Sequence, residues 1–331
     1  SPATSTTTEP STAPPSSSTS TPAPEPIDLP GDVFALGVAS GDALTDRVIL
    51  WTRLVVDPLA VGGAMLVDDV PVVWEVATDD TFADVVASGT ATAEARHAHS
   101  LHVDAGGLEP GTHYVDRFLV GDQVSPVGRT RTLPADGTDP FAFVVATCQD
   151  PQFGEYGAWR DVAARDDVEA VLFTGDYIYE LPALDFSPAR DGHREWSSPT
   201  PTDLDGFRVR YGQVQADPAL QAAHARMPWW LMWDDHEITD NYWSGGAGQF
   251  DSAGGDFAAR RTAAYQAWWE HQPVRLDPPA DGDLAIHRSV RIGDLVELFL
   301  IDTRQFADEP PCRDTSALDL GTGCDERDDP A

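Results

Sequence analysis

The chain has 331 residues, with 55 acidic side chains against 21 basic ones, all of the latter arginine, and a formal net charge of −34. That length suits two domains and a tail, because single cores stop growing at about 250–300 residues, and the 41% of hydrophobic residues supplies two cores. The charge argues against nucleic acid or an anionic membrane as partner, since such a surface repels polyanions, and no apolar run reaches the ~18 residues of a membrane span.

From Ser1 to about Pro26 nearly every residue is Ser, Thr, Pro or Ala. This composition cannot offset the entropy of ordering its backbone, so residues 1–30 are expected to be a disordered tail, a stalk or linker. A chain that starts at Ser1 rather than Met also fits removal of an upstream targeting segment, and a secreted or cell-surface location is expected. Residues 31–135 carry short apolar alternations between turn residues, as in RVILWTRL (47–54), VVWEVAT (72–78) and HYVDRFLV (113–120). Strands of this length and spacing predict an all-β sandwich of the fibronectin or immunoglobulin kind. In LEPGTHY (108–114) a turn runs closely into Tyr114, which predicts a tyrosine corner. His97, His99 and His102 are too loosely spaced for a metal site and are expected on a surface edge or loop.

After Pro134 the pattern changes to apolar strands alternating with helices, so residues 139–331 are expected to form a layered α/β domain. Phe141–Thr147 and Val168–Thr174 read as strands around a helix from Tyr156 to Asp166, a β-α-β unit that makes a parallel pair. A helix over Leu220–Arg226, a strand over Pro228–Trp233 and a strong helix over Phe257–His271 follow. A hairpin of Leu284–Arg291 and Leu295–Ile301, turned at Gly293-Asp294, comes last. Cys312 and Cys324 lie close together in a Gly/Asp/Pro-rich segment and would close a short disulfide loop in an oxidising compartment.

Apolar strands of an α/β sheet place the polar residues that follow them at the sheet's carboxyl edge, where such folds bind ligands. The successive strands deliver Cys148-Gln149-Asp150, then Asp176 with Tyr179 and Glu180, then Asp234-Asp235-His236-Glu237, then Asp302 and Arg304. Taken singly, Asp176 is as well explained by a cap, Cys148 by a small core residue, Asn241 by a loop cap and Asp302 with Arg304 by a structural ion pair. Four consecutive ionisable residues after an aromatic strand make poor core and poor turn, and the joint occurrence at four strand ends favours a site. Carboxylates, a thiol, a phenol and an imidazole on one rim suit metal-assisted hydrolysis of a phosphate ester, since hard cations take oxygen donors and reverse the repulsion an acidic rim exerts on phosphate. A stalked β-sandwich adhesion or binding protein with a non-catalytic second domain is the competing reading, and it leaves the rim unexplained. A sulfatase motif is absent, and the charge disfavours a nuclease.

FALGVASGDALTDRVILWTRL (34–54), LEPGTHYVDRFLV (108–120) and SPVGRTRTLP (125–134) resemble the N-terminal β-sandwich of PhoD-like alkaline phosphatases. FAFVVATCQD (141–150), VLFTGDYIYE (171–180), WDDHEITDNYW (233–243) and LFLIDTRQF (298–306) resemble successive motifs of that family's calcineurin-like metallophosphatase domain. The resemblance implies an alkaline phosphatase or phosphodiesterase with Fe³⁺ and Ca²⁺, acting on phosphate mono- or diesters through a metal-activated water and serving phosphate acquisition, with a monomer expected. By motif it makes Cys148, Asp176 and Tyr179 ferric ligands, with Asp176 also facing calcium, and puts Asp235 and Asn241 on the calcium side. His236 and Asp176 become the catalytic pair, while Asp234, Asp302 and Arg304 support the site. Members of the family continue to an Asp-Gly-Tyr segment and a Gly-Asp-x-His motif that finish the metal shell. Neither occurs before Ala331, so an incomplete and inactive fragment is expected.

Overall fold

The computed structural model describes residues 27–65, 68–182, 194–248, 251 and 253–309. Cys312 and Cys324, and with them the expected disulfide, lie outside the described residues.

Before residue 135 come β1 (Val38–Gly41), β2 (Arg47–Arg53), β3 (Val70–Ala77), β4 (Val85–Ala93), β5 (Ser100–Gly106), β6 (His113–Val120), β7 (Gln123–Val124) and β8 (Gly128–Arg131). One sheet has the order β4-β3-β6-β7 with β8 also on β6, and β5, β2 and β1 form an antiparallel sheet. Val48, Leu50, Val72, Val76, Phe118 and Val120 are buried in one shared cluster, which is what the period-2 alternation of these strands requires. The tyrosine corner forms as expected, with the Tyr114 hydroxyl accepting the Glu109 N–H at 2.9 Å.

The second half contains β9 (Phe143–Ala146), α1 (Gly157–Ala163), β10 (Ala170–Phe173), α2 (Leu204–Gln215), α3 (Pro218–His224), β11 (Trp229–Leu231), α4 (Phe257–His271) and the hairpin β12 (Arg288–Ile292) and β13 (Val296–Leu300). β9, β10 and β11 are parallel neighbours, as the β-α-β reading requires. Asp203, Asp217 and Asp256 cap α2, α3 and α4 by accepting backbone N–H groups of the first turn. The core between strands and helices is aromatic: Trp233 stacks on Tyr265 at 4.2 Å and meets Trp268 edge-on, while Trp229 lies 4.8 Å from Trp159.

The two halves share a sheet. β1 pairs in parallel with β11 at Gly41 and Trp229, giving a six-stranded order β5-β2-β1-β11-β10-β9. Only glycine fits at residue 41, where a Cβ would overlap the Pro273 carbonyl oxygen. Beside it, buried Asp42 accepts the Arg275 N–H at 2.7 Å and both Nε and Nη2 of Arg288 at 3.0 and 2.8 Å. The histidine expectation is corrected here, because these residues pack rather than face solvent. His99 is buried and bonded to the Asp68 carbonyl at 2.9 Å, and His102 stacks 4.4 Å from Trp269 of α4 with its Nε2 2.9 Å from the Gln272 carbonyl. The expectation failed because an aromatic helix face, distant in sequence, covers this edge.

Inside the sandwich Asp116 is buried with neither carboxylate oxygen hydrogen-bonded, and burial pushes its pKa up to about 7. A raised folded-state value leaves stability intact below the unfolded pKa near 3.8 and removes it as pH rises through about 7. Asp116→Asn should therefore stabilise the chain by roughly 2–4 kcal/mol at pH 8 and by close to nothing at pH 4. Urea unfolding at the two pH values checks this, and equal effects at both would contradict it.

Candidate active site

The loops leaving β9, β10 and β11 meet at the carboxyl edge of the parallel strands. Their close approach is built into the backbone. A Cβ on Gly175, whose φ is 115°, would overlap the backbone nitrogen of Asp234, so the β10 loop touches the β11 loop directly. The β9 loop joins through Cys148 N–H to the Gly175 carbonyl at 3.2 Å and Gln149 N–H to the Asp176 carbonyl at 3.1 Å. Cys148, Asp176 and Asn241 have φ of 59°, 58° and 50°, a region costly for side-chain-bearing residues.

Asp176 is the centre. It is buried; the Cys148 thiol (3.3 Å) and the Tyr179 hydroxyl (3.1 Å) both donate to its Oδ2, while its Oδ1 is buried without any partner. Asp176, Asp235 and His236 each bring one ligand atom to within 4.8 Å of the others. Asp235 accepts the Asn241 N–H at 2.6 Å and Arg304 Nη2 at 3.2 Å, and Arg304 Nε also donates to Asp234. The Asn241 side chain is exposed and donates to Asp240 at 3.0 Å. Asp302 does not pair with the guanidinium of Arg304. Its Oδ1 accepts the backbone N–H groups of Arg304 and Gln305, and its Oδ2 accepts the Gln305 amide, so it shapes the turn that presents Arg304. The structure thus gathers Cys148, Asp176, Tyr179, Asp234, Asp235, His236 and Arg304, with Asn241 at the margin and Asp302 behind.

Two further residues of the same motifs position this group. Glu180, buried, accepts from His236 Nδ1 at 2.8 Å and from the Asp240 N–H at 2.7 Å. Glu237, also buried, accepts the Tyr177 N–H at 2.7 Å and the Asp234 N–H at 2.8 Å. Both are acidic residues closing an ionisable run, the one signal in the sequence that marks them. Electrostatics follow from this packing. Burial raises Asp235 to about 6 and pushes up the Cys148 thiol and the Tyr179 phenol. Burial opposes the charge on His236, but the Glu180 hydrogen bond and nearby carboxylates outweigh it and raise the imidazole to about 9. Carboxylate oxygens, one of them buried and unpartnered among the described residues, fit a hard cation, while the adjoining thiol and phenol fit a transition-metal ion.

The family model for the PhoD-like phosphatase matches residues 143–331, and that for the PhoD-like phosphatase N-terminal domain matches residues 20–134. The chain belongs to the PhoD-like phosphatase family. It is 42% identical over 282 residues to alkaline phosphatase D of Bacillus subtilis (strain 168), covering 83% of this chain and 47% of that protein. A solved structure of PhoD superposes with a TM-score of 0.81 at 40% identity, over 87% of this chain and 55% of that one. The chain therefore spans about half the length of the relatives it matches. The match supports the β-rich first half and mixed α/β second half expected from the sequence.

Glu180→Gln removes the anion that holds the His236 proton. The imidazole pKa should fall from about 9 toward its ordinary value near 6.5, read from its ring-proton shifts in an NMR titration. An unchanged midpoint would refute the assigned cause.

Proposed function

We propose that this chain carries the strand-end half of the active centre of a metal-dependent phosphoesterase of the alkaline phosphatase D type, which hydrolyses phosphate mono- or diesters outside the cytoplasm. The observation that carries the reading is Asp176, with one oxygen shared by a thiol and a phenol and the other buried without a partner. A protein does not leave a buried carboxylate oxygen unsatisfied without cost, about 1–3 kcal/mol, and a cation satisfies it. Cys148, Asp176 and Tyr179 would hold the ferric ion, and Asp176, Asp235 and Asn241 the calcium. Bound cations supply the positive charge that ionises these groups, draws in a phosphate ester and lowers the pKa of water.

The chain's own residues do the rest. His236, oriented by the hydrogen bond between its Nδ1 and Glu180, keeps Nε2 for an N–H that would donate to a phosphate oxygen or to the departing alkoxide. Tyr179 stacks on the His236 ring at 4.2 Å and limits its rotation. Arg304, fixed by Asp234 and Asp235, holds Asp235 in place and contributes a guanidinium to the rim. The location proposed is secreted or at the cell surface, as for an exported hydrolase. Serving phosphate acquisition accords with such a location.

The test measures metal content and hydrolysis of chromogenic aryl phosphate mono- and diesters by the chain supplied with Fe³⁺ and Ca²⁺, with Asp176→Ala alongside. Bound metal should be lost in the variant, and hydrolysis, where the wild-type chain shows it, should fall on the order of 100-fold or more. Turnover untouched by Asp176→Ala would sink the assignment.

A further inference from the structure

Glu237 is buried and, among the described residues, no side chain hydrogen-bonds to it, yet both of its oxygens accept a bond. Oε1 accepts the N–H of Tyr177, the residue after Asp176, and Oε2 accepts the N–H of Asp234, the residue before Asp235. One carboxylate thus reaches a backbone donor in each of the two loops that carry the central acids. Its neighbours share the bracing in different ways: Thr239 donates to Asp251, and Ile238 and Thr239 return N–H groups to the Asp235 carbonyl, closing the turn on which Glu237 sits. Gly175 allows the loops to touch, but a contact that only permits approach does not set a distance.

We propose that Glu237 is a positioning residue: by accepting one backbone N–H from each loop, it fixes the separation of Asp176 and Asp235 and thereby the cation affinity of the rim. The inference rests on the reading of that rim as a metal-dependent centre. Glu237 stands outside the group of Asp176, Asp235 and His236 whose ligand atoms lie within 4.8 Å of one another, and each of its oxygens faces a backbone N–H. The tie is chemically specific. A glutamine offers one acceptor oxygen and turns an NH₂ toward the other N–H, so one bond is lost and two donors oppose each other. An aspartate keeps two acceptor oxygens but is one methylene too short to reach both loops. Tyr177 follows Asp176, which is held in the left-handed region at a φ of 58°, so losing its acceptor loosens the chain next to a strained residue.

Two measurements on the full chain separate this proposal from the reading it rests on. Backbone hydrogen exchange, followed by NMR in metal-free buffer, should show the Tyr177 and Asp234 amides protected in the wild type. E237Q should reduce protection at one or both by about 10–100-fold while the amides of Val171 and Leu172 in β10 keep theirs, a pattern that general destabilisation would not give. Calorimetric titration with Mn²⁺ alone should show affinity about 10–100-fold weaker in E237Q than in the wild type. Tyr177 and Asp234 amides exchanging as fast as exposed loop amides in the wild type would overturn the proposal, as would equal Mn²⁺ affinity in E237Q. A wild-type chain that binds no Mn²⁺ would instead overturn the metal-dependent reading and with it the claim on affinity, leaving the exchange data to decide whether Glu237 ties the loops. If E237Q does not fold, wild-type exchange and E237D, expected to lose protection at one loop only, decide the same question.

Discussion

Everything at the candidate site depends on holding two non-glycine residues, Cys148 and Asp176, in the left-handed region directly after parallel strands. That conformation costs about 1–3 kcal/mol per residue, so surrounding bonds must over-determine it. They do so by cross-linking the loops rather than by bracing each alone. The Gly175 carbonyl accepts from both the Cys148 N–H and the Thr147 hydroxyl, the Asp176 carbonyl accepts from Gln149, and Glu237 ties Tyr177 to Asp234. Removing any one loop would release the strain in the others.

Charge is handled by the same economy. The net charge of −34 makes repulsion at the rim the expected problem, and arginine answers it locally. Arg304 lies across Asp234 and Asp235, Arg208 pairs with Glu270 through two bonds of 2.7 Å, and Arg288 holds Asp42 through two more. Buried Arg210 makes its hydrogen bonds to carbonyls instead. Its guanidinium donates to the carbonyls of Tyr179, Leu181, Ser198 and Pro199 and lies over Trp196 at 4.1 Å, fastening the segment that leaves Glu180. Each of these tasks needs a planar fork of several fixed donors, which a lysine ammonium does not provide, and a basic complement made wholly of arginine fits that use.

What could be read from the sequence follows from how local the signal was. The helix Phe257–His271 was legible to the residue because a capping Asp256 and a long periodic run mark it, and the tyrosine corner was legible because its turn and Tyr114 are adjacent. Strand-end residues were legible through a rule of topology that needs only strand positions. Helix α2 was not foreseen: Phe207, Val209, Arg210, Tyr211, Val214 and Gln215 are all buried, so no polar face declares its period, and Gly206 and Gly212 lower its helical propensity. The packing of His102 was also out of reach, since it depends on Trp269 and Gln272 about 170 residues away. For the candidate site, which strand ends come together was legible while the bonding among their residues was not. Glu180 and Glu237 stood in the same motifs as Asp235 and His236, and only the hydrogen-bond geometry separates residues that brace from residues that face the opening.

The joint sheet gives the β-sandwich a part in this geometry. β11 is only three residues long, Trp229–Leu231, and is the strand from which Asp234, Asp235 and His236 depart. A strand that short has little hold of its own on one neighbour. β10 pairs with it along one edge, and β1 of the sandwich meets the other at Gly41, with the Asp42 N–H donating to the Trp229 carbonyl at 3.1 Å. Arg288 completes the brace, since the guanidinium bound to Asp42 also donates to the Leu231 carbonyl at 2.9 Å. The last residue of β11 is therefore fixed by a sandwich acid acting through a hairpin arginine, three residues before the acidic run begins. The Gly-Asp pair at residues 41 and 42 thus does for the back of the sheet what Gly175 and Glu237 do for its carboxyl edge: a glycine lets two backbones touch, and a buried carboxylate locks them in place.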